Sequence, residues 1–346
     1  MAERTGIAWT DATWNPIIGC SRVSEGCRNC YAERAAIRMA GPAPREHVDM
    51  AYDSGGVEVG PAGRYHGLVK STPDGPRWTG EVRLVEEALT LPLHWRRPRR
   101  IFVNSMGDLF HEQVPDEWID RVFAVMALAP QHTFQVLTKR PERMRAYELD
   151  RDDRLAALLL KWGDRGGRWW PFEGVKALRW DEVNTAALST VKRPLSNVQS
   201  GVSVENQATA DARIPLLLQA QAAARFVSYE PALGPVDFLS PWHDWLRGWT
   251  TEPEHSRDGS CRDGQHKNCP QPVQVQTEKI NWLIVGCESG PQRRNQDGYE
   301  ACARSAIGQA RAAGVPVFHK QMSIRGRVSH DPAEWPSDLR VQEWPT

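Results

Sequence analysis

An alternation constrains this chain more than any single motif does. Apolar runs of strand length are separated by segments with helical periodicity, and nearly every run ends in polar residues. The runs occupy residues 100–106 (RIFVNSM), 132–139 (HTFQVLTK), 197–205 (NVQSGVSVE) and, further on, ARFVSYEP, INWLIVGCESG and VPVFHKQM. Between them lie helical patterns. One begins near Pro115 (PDEWIDRVFAVMALA), where proline suits a first turn, and others are RPERMRAY, DARIPLLLQA and YEACARSAIGQARAAG, the last ending at Gly314. Strands separated by helices need crossover connections, which predicts an α/β fold on a mainly parallel sheet.

The strand ends carry the chemistry. They terminate in Asn104, Ser105 and Asp108; in Thr138, Lys139 and Arg140; in Ser203, Glu205 and Asn206; in Glu230; in Glu288 and Ser289; and in His319, Lys320 and Gln321. In a β/α barrel the carboxyl ends of successive strands face one common site. In an open doubly wound sheet they flank a crevice instead. No early G-x-G-x-x-G or G-x4-G-K-[ST] points to the nucleotide-binding versions of that sheet. The expected fold is therefore TIM-barrel-like, a full or partial β/α barrel spanning 1–346 as one domain. Residues 41–80, rich in glycine and proline, read as a long loop or cover, and 151–191 are ambiguous. Residues 241–276 read as a polar insertion whose Cys261 and Cys269, with His255 or His266, are a candidate zinc or auxiliary-cluster site.

A cysteine-rich stretch, WNPIIGCSRVSEGCRNCYAER, precedes the regular part and sets Cys20, Cys27 and Cys30 in a C-x6-C-x2-C pattern ahead of a helix over 31–39. There is no basic start followed by an apolar leader and no apolar run approaching roughly 18 residues, so a cytoplasmic protein without membrane spans is expected. In a reducing compartment an odd total of seven cysteines favours ligands or buried thiols over disulfides. Three readings compete. Structural zinc wants four ligands and here needs a distant fourth. A four-iron cluster can be anchored at three corners, leaving one iron open to a cofactor or substrate. Unliganded thiols are the third.

The formal net charge is zero, which removes the simplest argument for a nucleic-acid binder. Basic runs remain at 94–100 (HWRRPRR) and at Arg293 and Arg294, and 15 tryptophans supply rings able to line a cleft or stack on a planar ligand.

Seven segments together resemble a phage and mobile-element family of unknown function whose members carry a three-cysteine motif. They are WTDATWNPIIGCSRVSEGCRNCYAER, RIFVNSMGDLF, FQVLTKRPERM, GVSVEN, RFVSYEPALGPV, WLIVGCESGP and VPVFHKQM, in order along nearly the whole chain. The arrangement is also similar to the radical S-adenosylmethionine superfamily, whose commonest spacing is C-x3-C-x2-C; the first gap here is longer. That resemblance implies a [4Fe-4S] cluster on Cys20, Cys27 and Cys30, S-adenosylmethionine on its open iron, an electron donor, and Tyr31 near the adenine. It also implies the Gly107 backbone and Asp108 at the cofactor amino group.

The physical roles agree with those residue types. Asp108 and Glu205 suit an ammonium or ribose hydroxyls, and Lys139 and Arg140 suit a carboxylate or phosphate. Ser203, Glu230, Glu288, Lys320 and Gln321 are candidates because they end strands. Cys287 reads as a radical hydrogen donor, an additional ligand or a buried small residue; Cys302 reads as core; and His111 reads as a site or capping histidine. The expected cofactor side is thus Tyr31, Gly107, Asp108, Ser203 and Glu205, and the expected catalytic side is Lys139, Glu230, Cys287, Glu288 and Lys320. The expected function is a radical S-adenosylmethionine enzyme acting on an unidentified substrate, with nucleotides or nucleic acids as candidates because spore photoproduct lyase and several RNA-modifying enzymes of that superfamily act on them. A metal-containing nucleic-acid-binding protein without radical chemistry is the alternative. The family resemblance further implies a three-cysteine-motif partner protein.

Overall fold

Eight strands form one hydrogen-bonded sheet: Ala12–Trp14 (β1), Arg100–Val103 (β2), Thr133–Thr138 (β3), Val198–Val204 (β4), Ala224–Tyr229 (β5), Trp282–Gly286 (β6), Val317–Ile324 (β7) and Arg327–Ser329 (β8). These come from a computed structural model that describes residues 5–41, 63–149, 194–240, 243–252, 273–290, 293–294 and 297–345, with scattered positions between 151 and 179. The spatial order of the strands is their chain order. A doubly wound sheet reverses at a switch point, and this order contains none. β1 with β2, β2 with β3, β5 with β6, and β6 with β7 pair in parallel, and β8 folds back antiparallel on β7. Among the described residues no pairing joins β8 to β1. The fold is mixed α/β on a mainly parallel sheet.

Five helices of two turns or more are described: Tyr31–Met39 (α1), Asp116–Leu128 (α2), Pro141–Glu148 (α3), Gln207–Leu218 (α4) and Tyr299–Ala312 (α5). Their ends follow local chemistry. Pro115 is the N-cap of α2 with Asp116 and Glu117 in the first turn, where carboxylates meet the positive end of the helix dipole. Asn206 and Thr209 cap α4 reciprocally, each side chain accepting from the other's backbone N–H. Gly314, at φ +68°, reverses the chain after α5. Among the described residues no helix is long and apolar enough to cross a membrane.

The chain divides into two compact units, Met1–Gln199 with Ser289–Gln292, and Ser200–Glu288 with Arg293–Thr346. In the first, Trp14, Ile101, Val103, Phe134 and Val136 are buried on the strands, with the Trp14 and Phe134 rings 5.7 Å apart, and α2 buries nine of its residues. A separate apolar cluster lies under the cysteine loop, where Ile18, Ala32, Ala36, Leu68, Trp78 and Met106 surround the stems of Cys20 and Cys30. Residues 63–80 of the expected loop supply part of it, through a hairpin of Val69–Thr72 and Gly75–Trp78. Residues 42–62 lie outside the described residues. In the second unit, Phe226, Trp282, Ile284, Val317 and Phe318 are all buried. Gly201 permits this packing, because a Cβ there would sit 2.5 Å from the Phe226 ring.

Around the polar insertion the structure adds a four-stranded antiparallel sheet, Leu239–Ser240, His243–Asp244, Trp249–Glu252 and Val273–Gln276. Its alternating polar residues hid it in the sequence. Cys261, Cys269, His255 and His266 lie outside the described residues.

Candidate functional site

The cysteine loop is built on two backbone anchors. Gly19 bridges Gly107 in parallel, its N–H donating to the Met106 carbonyl at 3.2 Å, so the loop entry is tied to the turn after β2. Gly19 has φ +93°, and a Cβ there would lie 2.2 Å from the Glu81 carbonyl oxygen, so only glycine fits. Beyond it, a 3-10 turn over Glu25–Cys27 delivers Cys27, and Cys30 is the N-cap residue of α1. All three thiols are free and half-buried.

A buried carboxylate clamps the loop from inside. Glu33, 1% exposed, accepts from both Arg22 and the Trp78 N–H. Arg22 also donates to the Arg28 carbonyl at 2.8 Å, spanning the loop between Cys20 and Cys30.

A guanidinium approaches the sulfurs from outside. Arg140, 5% exposed at the start of α3, lies 3.9 Å from the Cys20 sulfur. It donates to the Ser21 hydroxyl at 2.8 Å, the Ser21 carbonyl at 3.2 Å, Asp108 at 3.1 Å and Glu112 at 2.8 Å. His111 completes the arrangement. Its Nδ1 accepts from the Gln113 N–H at 3.2 Å, which leaves the proton of the neutral ring on Nε2, 2.9 Å from the Ser21 hydroxyl. Burial, and then the Arg140 charge, push the His111 pKa down, which keeps it neutral.

Asp108 has its acceptors filled. It takes hydrogen bonds from the Thr138 hydroxyl at 2.8 Å, the Phe110 N–H at 3.0 Å, Arg140 at 3.1 Å and the Lys139 N–H at 3.2 Å. In this geometry it fixes the turn after β3 and aims Arg140. Tyr31 donates to the Ser105 carbonyl at 2.5 Å, and its ring stays 44% exposed beside the cysteines. The half-buried Lys139 follows β3 directly.

The sulfurs suit a soft metal centre. Burial is the largest cause holding the Cys20 and Cys30 thiols protonated; for Cys20 the charge of Asp108 adds to it, Arg140 opposes it, and Cys30 and Cys27 add smaller contributions. Bound metal would relieve that cost by neutralising thiolates. Among the described residues no three His, Cys, Asp or Glu side chains close on a single ion. A cluster needs its thiolates further apart than a single ion does, and all three nearby donors are sulfur.

The second unit holds the other expected residues in three groups. Glu230 directly follows β5, and the Lys320 ammonium lies 2.6 Å from it; Lys320 and Gln321, expected at a strand end, lie inside β7, because that strand runs on to Ile324 to pair with β8. Gly286 backs this pair; a Cβ there would come 3.1 Å from the Glu230 carboxyl carbon. Cys287 follows, 3% exposed, held by its N–H to the Gln321 carbonyl at 3.3 Å and by the Gln321 amide to its own carbonyl at 2.7 Å. Burial, and then the Glu230 charge, push its thiol up to about 12. It therefore keeps its S–H at neutral pH. Glu288 is pinned by Arg294, through the backbone N–H at 2.7 Å and the guanidinium. Glu205, 1% exposed, pairs with Arg213 at 3.1 Å, and the same Arg213 nitrogen donates to the Ser203 carbonyl at 2.7 Å. Cys302 is buried in α5, as its helical spacing implies.

Tyr299, whose charge environment includes Cys287, carries no sequence signal, and its partner is His319. The buried Tyr299 hydroxyl lies 2.7 Å from His319 Nε2 and 2.9 Å from the Gln321 carbonyl, and His319 Nδ1–H donates to the Leu339 carbonyl at 2.8 Å. Tyr299 reads as one more apolar position of an amphipathic helix.

The basic run is at the other end of its strand. Arg100 opens β2 and pairs with Asp11, whereas the cysteine loop is bridged to the turn that follows β2. No curated protein and no solved structure matches the chain. One family model, described as a protein of unknown function (DUF5131), matches residues 4–334, and the chain belongs to that family.

Proposed function

We propose that this chain is an iron–sulfur enzyme of the radical S-adenosylmethionine type, built on a partial β/α barrel, in which Cys20, Cys27 and Cys30 hold a [4Fe-4S] cluster. One observation carries the reading: three free sulfurs on one preorganised loop, with a buried guanidinium 3.9 Å from the first. The strand order supports the barrel, since singly wound strands without a reversal are the barrel pattern. When bound, such a cluster with one open iron supplies the electron that splits S-adenosylmethionine into methionine and a 5′-deoxyadenosyl radical.

The chain's own residues then have distinct tasks. Exposed Tyr31 offers a ring for the adenine, and the Gly107 backbone lies where a Cβ would crowd the Gly19 carbonyl at 3.0 Å. Asp108 is a positioning group, because its acceptors are already engaged. Within the second unit, the Lys320 and Glu230 pair can orient polar atoms of a ligand, and Cys287 keeps its S–H. Nucleotides and nucleic acids are the substrate class to test first; a base in a duplex would have to be flipped out to react. The phage and mobile-element kinship belongs to the same reading.

The test is chemical. Anaerobically reconstituted protein, reduced with dithionite in the presence of S-adenosylmethionine, should release 5′-deoxyadenosine, and the Cys27→Ala variant should not. An iron-replete protein that releases none would overturn the radical assignment.

A further inference from the structure

The geometry points to Arg140 as a positioning residue that sets the redox behaviour of the three-cysteine centre, by fixing a permanent positive charge against the Cys20 sulfur. This inference rests on the cluster reading above and adds a role for a residue outside the ligand set.

Five contacts hold the guanidinium in place. Asp108 and Glu112 take two of its nitrogens, the Ser21 carbonyl and hydroxyl take the third, and the nitrogen on Asp108 also faces Cys20. Asp108 is itself fixed by Thr138, Phe110 and Lys139, so the charge cannot swing away without breaking the turn after β3. The Ser21 hydroxyl is fixed in turn by the neutral His111. Arginine suits this place because its planar fork stays charged and reaches several acceptors at once. With Arg140 5% exposed, water screens the charge weakly, so its field acts on the adjacent sulfur.

The consequence follows from charge. One-electron reduction by an external one-electron donor adds one electron and no proton to the centre, so the reduced form is the more negative. A fixed cation 3.9 Å from one sulfur stabilises that form and raises the midpoint potential. Two carboxylates offset this: Asp108, whose charge acts on Cys20 more strongly than that of Arg140, and the largely exposed Glu112, 2.8 Å from Arg140. Removing the Arg140 charge should therefore lower the potential, and removing the Glu112 charge should raise it.

The experiment compares anaerobically reconstituted wild type with Arg140→Met, Arg140→Lys and Glu112→Gln, measuring iron and sulfide per chain and the midpoint potential by dye-mediated titration with dithionite. Arg140→Met should keep its iron and shift to a more negative potential. Arg140→Lys should lie between it and wild type, and Glu112→Gln should shift to a more positive one. Retained iron with an unchanged potential in Arg140→Met overturns the proposal alone. Loss of iron from both Arg140 variants also overturns it, leaving Arg140 a loop-building residue. Absence of iron from the wild type overturns the cluster reading and this inference with it.

Discussion

The Lys320 ammonium lies 2.6 Å from a Glu230 carboxylate oxygen, and each side chain is only 18% exposed. Such a pair is coupled: removing one partner strands the other charge in a poorly solvated place, whereas removing both strands neither. Lys320→Met is therefore expected to lower stability by about 1–3 kcal/mol, and adding Glu230→Gln should recover part of that loss. Urea midpoints of the two single variants and the double variant measure it. Strict additivity would show that the pair is not coupled.

Glu33 should matter to folding as well as to the loop. Its buried carboxylate holds Arg22 and the Trp78 N–H, joining the cysteine loop, α1 and the neighbouring hairpin. Glu33→Ala is expected to cost about 2–3 kcal/mol, since it leaves a buried N–H unmet and removes the partner of Arg22. The same variant should reconstitute less iron than wild type. A loss below about 0.5 kcal/mol would mean the clamp is dispensable.

His319 gives a pH signature. Burial lowers its pKa to about 4, against the 6.5 of an ordinary histidine. Between these values the unfolded chain binds a proton that the folded chain refuses, so folding is favoured above pH 6.5 and weakens as pH falls towards 4. The loss from this group alone amounts to about 3 kcal/mol across the window. Stability against pH should be flatter in His319→Gln over that range; an unchanged slope would place the acid sensitivity elsewhere.

Gly201→Ala tests the packing of the second unit. A Cβ 2.5 Å from the Phe226 ring forces the ring to move inside a buried strand pair. The expected loss is about 1–3 kcal/mol, with partial recovery when Phe226→Leu is added. Thermal unfolding of Gly201→Ala, Phe226→Leu and the double variant reads this out directly, and no loss in Gly201→Ala would mean the ring has room to yield.

The parts of the fold legible in the sequence were those with local signals. Helix α1 falls on the expected 31–39, α2 starts after Pro115, β3, β4 and β6 lie inside their apolar runs, and β7 runs two residues past its own. β1 was not legible: three residues among Asp11, Thr13 and Asn15 carry no periodicity, and the strand exists because it pairs with β2 almost 90 residues away. The site divides the same way. Cysteine spacing marked Cys20, Cys27 and Cys30, and the end of an apolar run marked Glu230, whereas Lys320 lies inside β7 and not at its end. Nothing local could show that Asp108 is saturated by partners about 30 residues on, or that Arg140 reaches back 120 residues to Cys20. Those contacts are set by the parallel stacking of strands, which brings residues from consecutive strand ends together regardless of their spacing in the chain.

The central claim is that the three cysteines hold an iron–sulfur cluster, and its most direct measurement is metal and sulfide content after anaerobic purification, in wild type and in Cys27→Ala. The account predicts about four irons and a matching amount of acid-labile sulfide per wild-type chain, lost in the variant. Zinc in place of iron, or iron that survives the loss of Cys27, would contradict it.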